Sequence, residues 1–228
     1  MTFLDLFAGI GGTALGLTRA GHTPTAFCEI DPYCQKVLTR HWPNTPIHAD
    51  VRTLHGTEYG PFDMLVATYP CQPFSHAGDQ RGHQHEAHLW PEVARIIRNT
   101  RPRFVLLENV IGHLRVGFGT VLADLATIGY DATWDCVPAS AVGAPHQRGR
   151  VWVVAYPHSD SQPVEPFHDE ARRLPTPPSA RWPEWTPDPA TLGMDDGIPR
   201  RMDRRRLEAL GNAVVPAVAE LIGRRLHA

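Results

Sequence analysis

The chain has 228 residues and a net charge of −2, and 42% of its residues are hydrophobic while 20% are charged. This length and composition are typical of a globular protein with one sizeable core, or with one domain and a small insert. No run of about 18 apolar residues is present, which argues against a membrane-spanning helix. The acid at Asp5 argues against a secretory signal peptide.

The first third of the chain alternates short apolar runs with helix-like stretches. The apolar runs predict strands at Phe3–Phe7, Thr25–Glu29 and Ile47–Ala49. The intervening helices are predicted at Thr13–Ala20 and Pro32–Trp42. Asp31 is placed to cap the second helix, and Pro32 suits its first position.

The same alternation continues as far as about Ala155. Near-continuous apolar runs predict buried strands at Met64–Ala67, Phe104–Leu107 and Val151–Ala155, as in a parallel sheet covered by helices. Helices are predicted at Leu89–Arg98 and Gly119–Ile128. We therefore expect an α/β fold with a doubly wound, mostly parallel sheet.

The composition changes after Tyr156, and this change predicts three parts. Residues 1–156 form the α/β domain, and residues 157–200, with ten prolines and with Trp182 and Trp185, form a small irregular insert. A disordered tail is the alternative for this stretch. Residues 201–228 form a C-terminal helical segment that is interrupted between Gly211 and Pro216.

A glycine-rich turn follows the first predicted strand and precedes the first predicted helix. Glycines here permit a ligand to approach bare backbone at a helix N-terminus. Glu29 and Asp50 end the next two predicted strands, where acids can bind ribose hydroxyls and an adenine amino group. The pattern predicts a nucleotide-like ligand. On this segment alone a dinucleotide oxidoreductase stays open, although the full Gly-x-Gly-x-x-Gly spacing is not met.

A second group of reactive residues follows later strands. Cys71 lies between Pro70 and Pro73 just after the strand Met64–Ala67, and Glu108 follows the strand Phe104–Leu107. Arg148 and Arg150 precede the strand Val151–Ala155. The four cysteines (Cys28, Cys34, Cys71, Cys136) lack Cys-x-x-Cys spacing, which predicts free thiols in a reducing compartment such as the bacterial cytoplasm. A thiol, a carboxyl group and arginines are thus predicted at one sheet edge beside the nucleotide site.

This set of groups suits methylation of cytosine at C5. Attack by the Cys71 thiolate on C6 turns C5 into a carbanion equivalent. A protonated Glu108 at N3 and an arginine at O2 stabilise the developing charge. A methyl sulfonium then supplies the electrophile.

The chain resembles the DNA (cytosine-5)-methyltransferases over nearly its whole length, with the motifs in the family's order. The matching stretches are Phe7-Ala8-Gly9-Ile10-Gly11, Glu29 and Asp50, Pro70-Cys71-Gln72, Glu108-Asn109-Val110, Gln147-Arg148-Gly149-Arg150 and Gly211-Asn212-Ala213-Val214-Val215-Pro216. The resemblance implies a methyltransferase fold, S-adenosylmethionine as methyl donor with S-adenosylhomocysteine as product, and a cytosine flipped out of double-stranded DNA.

The resemblance also implies a role for individual residues. Cys71, Glu108, Arg148 and Arg150 are the expected catalytic residues. The expected cofactor-binding residues are Phe7, Gly9, Gly11, Glu29, Ile30, Asp50, Val51, Pro70, Leu89 and Asn212. The expected DNA-binding residues are Gln72, Ser75, Arg81, Asn109, Arg172, Arg173 and Arg181.

The chain departs from the family's pattern in three places. His146 stands where many members have glutamine, and His83, His85 and His88 lie where members often carry an acid and an arginine. No cysteine or carboxylate pattern frames these three histidines, so no metal site is predicted. The insert is short, which predicts a short or relaxed target and a compact, phage-encoded or orphan member. No oligomerisation signal is present, and we expect a monomer without membrane association.

Four alternatives remain. The family's transfer-RNA branch carries a Cys-Phe-Thr stretch that this chain lacks. A DNA-binding relative without turnover usually loses the cysteine or the Glu-Asn pair, and both are present. Amino-methylating DNA enzymes carry a polar residue before Pro-Pro and an aromatic residue, whereas this chain has Pro70-Cys71-Gln72. A dehydrogenase would not explain the presence of Cys71, Glu108 and Asn212.

Overall fold

The computed structural model describes residues 1–70, 89–159, 206 and 208–226. Their centre is one mixed sheet with the strand order β3-β2-β1-β4-β5-β7-β6. Its strands are β1 (Thr2–Leu6), β2 (Thr23–Cys28), β3 (Ile47–His48), β4 (Met64–Ala67), β5 (Phe104–Val110), β6 (Tyr130–Val137) and β7 (Arg150–Pro157). Strands β1 to β5 are parallel, whereas β7 is antiparallel to both β5 and β6. The predicted fold class is confirmed.

Helices cover both faces of the sheet. They are α1 (Gly12–Arg19), α2 (Pro32–His41), α3 (Trp90–Thr100), α4 (Phe118–Ile128) and α5 (Pro216–Arg225), with 3₁₀ helices at Ile111–Arg115 and Ala139–Val142. Residues 208–212 are also helical. The Asp31 side chain accepts a hydrogen bond from the Tyr33 amide, and Pro32 begins α2, as predicted. No helix in this described part of the chain is long and apolar enough to span a bilayer.

The core has two layers, one on each face of the sheet. The layer under α3 and α4 contains Leu4, Leu6, Trp90 and Leu125. The layer under α1, α2 and α5 contains Phe3, Leu17, Leu38, Phe27 and Ile222. Because neighbouring residues of β1 point to opposite faces, this strand contributes to both layers.

Two features of the sheet differ from the prediction. Strand β6 was not predicted, because its sequence mixes Asp131, Thr133 and Asp135 with apolar residues and forms no apolar run. Strand β7 is buried and apolar as predicted, but it is antiparallel. Its residues alternate between the two core layers, with Val151 and Val153 in one and Trp152 and Val154 in the other, so it is buried on both faces whatever its direction.

Strand β5 is also longer than predicted, which places two site residues inside it. Its first residues pair with β4, but Glu108 and Asn109 continue the ladder by pairing with Trp152 and Val151 of β7. The prediction that Glu108 follows the end of this strand was wrong for that reason. The parallel pairing of β5 with β4 nevertheless ends at Leu107, and Glu108 is the first residue after it.

Glycines permit unusually close packing between α1 and the C-terminal segment. A Cβ atom at Gly12 would lie 2.5 Å from the carbonyl oxygen of Val214. A Cβ atom at Gly16 would overlap the Pro216 carbonyl oxygen and lie 2.8 Å from the Glu220 amide nitrogen. Backbone therefore contacts backbone here, and a larger residue at either position would push α5 away.

We expect Gly16→Ala to destabilise the protein by about 2 kcal/mol, because the added methyl group overlaps backbone that cannot rotate away. Gly119→Ala is the matched control, since Gly119 lies in α4 and an added Cβ has no neighbour within 4 Å. Alanine there should be neutral or stabilising by up to about 1 kcal/mol. Urea unfolding of both variants measures the difference, and equal stabilities would contradict the close-packing account.

Candidate active site

A cavity of about 440 Å³ lies where the parallel strands end, within the usual size range of small-molecule sites. It collects most of the predicted site residues. Those lining it are Phe7, Gly9, Glu29, Ile30, Asp50, Val51, Pro70, Leu89, Glu108, Asn109, Arg150 and Asn212. Two predicted residues, Gly11 and Arg148, instead line a neighbouring apolar cavity of about 530 Å³.

The turn between β1 and α1 is held by a carboxylate. Glu29 Oε2 accepts a 2.6 Å hydrogen bond from the Gly9 amide, and Oε1 accepts one of 2.8 Å from the Asp31 amide. Phe7 and Gly9 both have positive φ angles, of 60° and 55°. The Glu29 carboxylate thus fixes a strained turn while lining the cavity.

Gly11 is placed differently from the prediction that it contacts the cofactor. A Cβ atom at this position would lie 2.5 Å from the Trp42 ring, so the missing side chain makes room for that tryptophan. The Gly11 φ angle is 84°, which also favours glycine. Its predicted cofactor contact stays a prediction, and packing alone accounts for glycine here.

Asp50 forms an ion pair at the cavity rim. Its Oδ2 lies 2.7 Å from Arg52 Nη2, and its Oδ1 accepts a hydrogen bond from the Arg52 amide. Hydrogen bonds from Arg52 lower the pKa of Asp50 below its ordinary value. A ligand that bound Asp50 would share it with Arg52. Nearby, Ile30 offers an apolar surface that is 64% exposed.

Glu108 is the most perturbed carboxyl group that lines the cavity. Burial raises its pKa to about 7, even though the positive charges of Arg150 and Arg148 oppose the shift. Glu108 Oε1 lies 3.0 Å from Arg150 Nε. The cost of desolvating the carboxylate exceeds the attraction of both arginines, so Glu108 can hold a proton near neutral pH.

Asn109, predicted to contact DNA, is a buried residue of the cavity wall. Its Nδ2 donates to the Tyr69 carbonyl oxygen at 3.3 Å, and its Oδ1 accepts from the Val110 amide. The hydrogen bond to Tyr69 links β5 to the stretch after β4 that leads to Pro70. The predicted DNA contact of Asn109 stays a prediction.

Several predicted residues lie outside the described residues. They are the nucleophile Cys71, the DNA-binding candidates Gln72, Ser75, Arg81, Arg172, Arg173 and Arg181, and the histidines His83, His85 and His88. Pro70 is the last described residue before this first gap. Within the ranges that are described, no group of three or more His, Cys, Asp or Glu side chains could hold a metal ion.

Arg148 joins two motifs that are distant in sequence. Its Nη2 donates to the carbonyl oxygens of Gly211 and Ala213, at 2.6 and 2.7 Å. These two residues flank Asn212, a predicted cofactor-binding residue. The Arg148 backbone has a φ angle of 34°, which is strained for a side chain of this size. The sequence predicted a catalytic role, and the described geometry adds a positioning role.

The structure also places unpredicted polar residues at the site. Asp31, Thr13 and Glu208 line the cavity. Glu208 precedes Asn212 by four residues, and this helical spacing puts both on one face, so the sequence could have predicted Glu208 as a cavity residue. Asp5 is fully buried in β1, and burial followed by the charge of Glu29 raises its pKa well above the ordinary value. The sequence offered no signal for this role of Asp5, because it is a single acid in an otherwise apolar strand.

Comparison with known proteins identifies the family. The family described as C-5 cytosine-specific DNA methylase matches residues 1–186. The chain belongs to this family. It is 38% identical over 159 residues to the type II methyltransferase M.NgoMIV of Neisseria gonorrhoeae, covering 68% of this chain and 51% of the relative. It is 36% identical over 166 residues to M.CviJI of Paramecium bursaria Chlorella virus IL3A, covering 71% and 44%.

A solved structure supports the fold of this C-5 cytosine methylase family member. A DNMT2 mutant of Spodoptera frugiperda matches with a TM-score of 0.62 and 20% identity, covering 72% of this chain and 52% of that one. The chain spans about half the length of the curated relatives that it matches. The family is therefore established by sequence, while the likeness in structure extends to the fold alone.

The family resemblance implies that the cavity binds S-adenosylhomocysteine, and we expect Arg148→Gln to weaken that binding at least about tenfold, because it removes charge-assisted hydrogen bonds that hold the backbone on both sides of Asn212. Isothermal titration calorimetry measures the affinity. Arg98→Gln, an exposed arginine of α3, is the control and should bind as the wild type does. Unchanged binding by Arg148→Gln would show that the hydrogen bonds of Arg148 to Gly211 and Ala213 do not support the part of the cavity wall that contains Asn212.

Proposed function

We propose that this chain transfers a methyl group from S-adenosylmethionine to C5 of a cytosine in double-stranded DNA. The observation that carries the proposal is the ion pair between the buried Glu108, whose pKa is about 7, and the partly exposed Arg150. This pair lines the cavity together with Pro70, which directly precedes Cys71. A proton donor, a cation and the start of the nucleophile stretch thus share one sheet edge.

The residues that line the cavity fit the chemistry of S-adenosylmethionine. Glu29 offers carboxylate oxygens to ribose hydroxyls, and Asp50 offers them to an amino group. Ile30 offers apolar surface to an adenine ring, and Gly9 leaves backbone accessible. When bound, this cofactor supplies an electrophilic methyl group. The remaining chemistry falls to the side chains of this chain.

Cys71 begins the proposed reaction as a thiolate. Its sulfur forms a bond to C6 of cytosine, and the electron pair of the C5–C6 double bond moves toward C5 and the ring carbonyl. Glu108 donates its proton to N3, and the Arg150 guanidinium stabilises the charge that develops at O2. After C5 is methylated, loss of its proton to a base restores the C5–C6 double bond and expels the Cys71 thiolate, and N3 returns its proton to the Glu108 carboxylate.

The target base must leave the duplex for this chemistry, because C6 is inaccessible within stacked bases. Residues 157–200 are the proposed target-recognition insert, with Arg172, Arg173 and Arg181 as contacts to DNA. The chain spans about half the length of the curated relatives that it matches, and an insert this short favours a short or relaxed target. Residues 1–156 and 201–228 would then supply the catalytic part.

Nucleoside mass spectrometry tests the proposed activity. We expect 5-methylcytosine to appear when purified protein and S-adenosylmethionine are incubated with mixed-sequence duplex DNA. Cys71→Ser should abolish the product, because a serine hydroxyl is far less ionised than a thiol at neutral pH. Binding of S-adenosylhomocysteine serves as the control that the variant is folded.

The outcomes separate the alternatives. Methylation of transfer RNA, with none of DNA, would replace the proposed substrate by RNA. DNA binding without any methylated product would favour a DNA-binding relative that lacks turnover. A methylated amino group instead of C5 would reject the covalent route through Cys71.

The pH dependence tests the role of Glu108. Its protonated form predominates below a pKa of about 7, so we expect the single-turnover rate to fall as the pH rises through that value. Glu108→Gln cannot ionise, so its slower rate should lack this fall between about pH 6 and pH 9. Rates measured at saturating DNA and cofactor would reveal the difference. The same alkaline fall in both proteins would assign it to another group.

A further inference from the structure

Tyr69 lies two residues before Cys71 and is held at both its backbone and its side chain. Its carbonyl oxygen accepts the hydrogen bond from Asn109 Nδ2. Its hydroxyl group lies 2.7 Å from His113 Nε2, and both side chains are buried. Asn109 belongs to β5, and His113 lies in the 3₁₀ helix that follows β5 directly. Tyr69 is therefore bound to the element that carries Glu108.

The second nitrogen of His113 fixes the direction of the hydrogen bond to Tyr69. His113 Nδ1 lies 2.9 Å from the Val116 carbonyl oxygen, which can only accept. Nδ1 must then carry a proton, and when the imidazole is neutral this tautomer leaves Nε2 as an acceptor. In that form the Tyr69 hydroxyl is the donor. Burial raises the pKa of Tyr69 above its ordinary value, which keeps the hydroxyl proton in place.

Aromatic rings enclose the Tyr69–His113 pair. The Tyr69 ring packs at 5.7 Å from the Trp90 ring and edge-on against His113 at 5.6 Å. Trp90 is itself fixed by a 2.7 Å hydrogen bond from Nε1 to Asp124 in α4. Tyr69 thus has little freedom to change rotamer while the hydrogen bond persists.

We propose that the hydrogen bond from Tyr69 to His113 positions the start of the nucleophile stretch relative to Glu108, so that Tyr69 and His113 are positioning residues of the methyl-transfer reaction. The inference rests on the proposed function. Tyr69 connects through one residue, Pro70, to Cys71, and the hydrogen bonds of its hydroxyl and carbonyl groups tie it to β5 and to the 3₁₀ helix after it. An error of about 1 Å in placing a reactive group costs about a hundredfold in rate, so such an anchor matters for catalysis.

Tyr130 provides a matched control for this role. It is also buried, and its hydroxyl group donates to the Pro102 carbonyl oxygen. It stands at the start of β6 and does not line the cavity. If the Tyr69 hydrogen bond only stabilises the fold, Tyr69→Phe and Tyr130→Phe should have equivalent effects.

The experiment compares Tyr69→Phe, Tyr130→Phe and the wild type in single-turnover methylation of duplex DNA. We expect Tyr69→Phe to slow methylation about tenfold, the usual effect of losing one buried hydrogen bond, with S-adenosylhomocysteine affinity unchanged within about twofold. Tyr130→Phe should lose similar thermal stability and keep the wild-type rate. His113→Gln, whose side-chain oxygen can accept from Tyr69, should be faster than His113→Leu.

A second measurement does not depend on turnover. Iodoacetamide labelling followed by peptide mass spectrometry measures the alkylation rate of Cys71, with the buried Cys28 and Cys34 as internal references. We expect Tyr69→Phe to raise the Cys71 rate at least about threefold, because one hydrogen bond no longer restricts the backbone before it. Tyr130→Phe should leave the rate unchanged.

The two measurements distinguish failure of this inference from failure of the proposed function. A wild type that makes no 5-methylcytosine rejects the proposed function and with it the catalytic role, whatever the labelling shows. An active wild type with equal rates for Tyr69→Phe and Tyr130→Phe, or an unchanged Cys71 alkylation rate in Tyr69→Phe, overturns the positioning role alone.

Discussion

The site depends on backbone contact between α1 and the C-terminal segment. Gly12 and Gly16 have no side chain to separate α1 from Val214 and Pro216, so the segment packs directly against the first helix. This contact joins parts of the chain about two hundred residues apart and places Asn212 in the cavity wall. Such a distant closure is entropically costly, and the burial of α5 residues such as Ile222 offsets that cost. Arg148 adds a second attachment beside Asn212, and its strained backbone is tolerated because two carbonyl groups bind its side chain.

Burial, rather than charge pairing, dominates the pKa of the two buried acids, Glu108 and Asp5. Glu108 lies beside Arg150 and keeps a raised pKa, because removing the carboxylate from water costs more than the nearby guanidinium returns. Asp5 is an extreme case, since neither of its oxygens has a hydrogen-bond partner among the described residues. Asp50 behaves in the opposite way, because it stays near solvent and accepts hydrogen bonds from Arg52. Burial thus raises the pKa of Glu108 and Asp5, whereas hydrogen bonds from Arg52 lower the pKa of Asp50.

Apolar runs were enough to predict the parallel half of the sheet, because β4 and the first four residues of β5 are wholly apolar and β1 and the end of β2 are mostly so. They could not predict β6, whose polar residues lie on an edge strand, or the direction of β7, which leaves no trace in its apolar pattern. The matching motifs were enough to predict twelve of the residues that line the cavity. They could not separate the packing role of Gly11 from a ligand contact, because both require a missing side chain and only the position of Trp42 distinguishes them.

The extension of β5 connects the acid to the nucleophile stretch. Pairing with β7 carries the strand through Glu108 and Asn109, which point to opposite faces because they are neighbours in a strand. One face presents the carboxyl group to Arg150, and the other presents the amide that holds the Tyr69 carbonyl. The register between β5 and β7 therefore fixes the proposed proton donor and the backbone before Cys71 together. Groups mounted on a strand keep their spacing better than groups on separate loops. The antiparallel pairing of β7 with β5, which the apolar pattern could not predict, thus holds Glu108 and Asn109 in place at the candidate site.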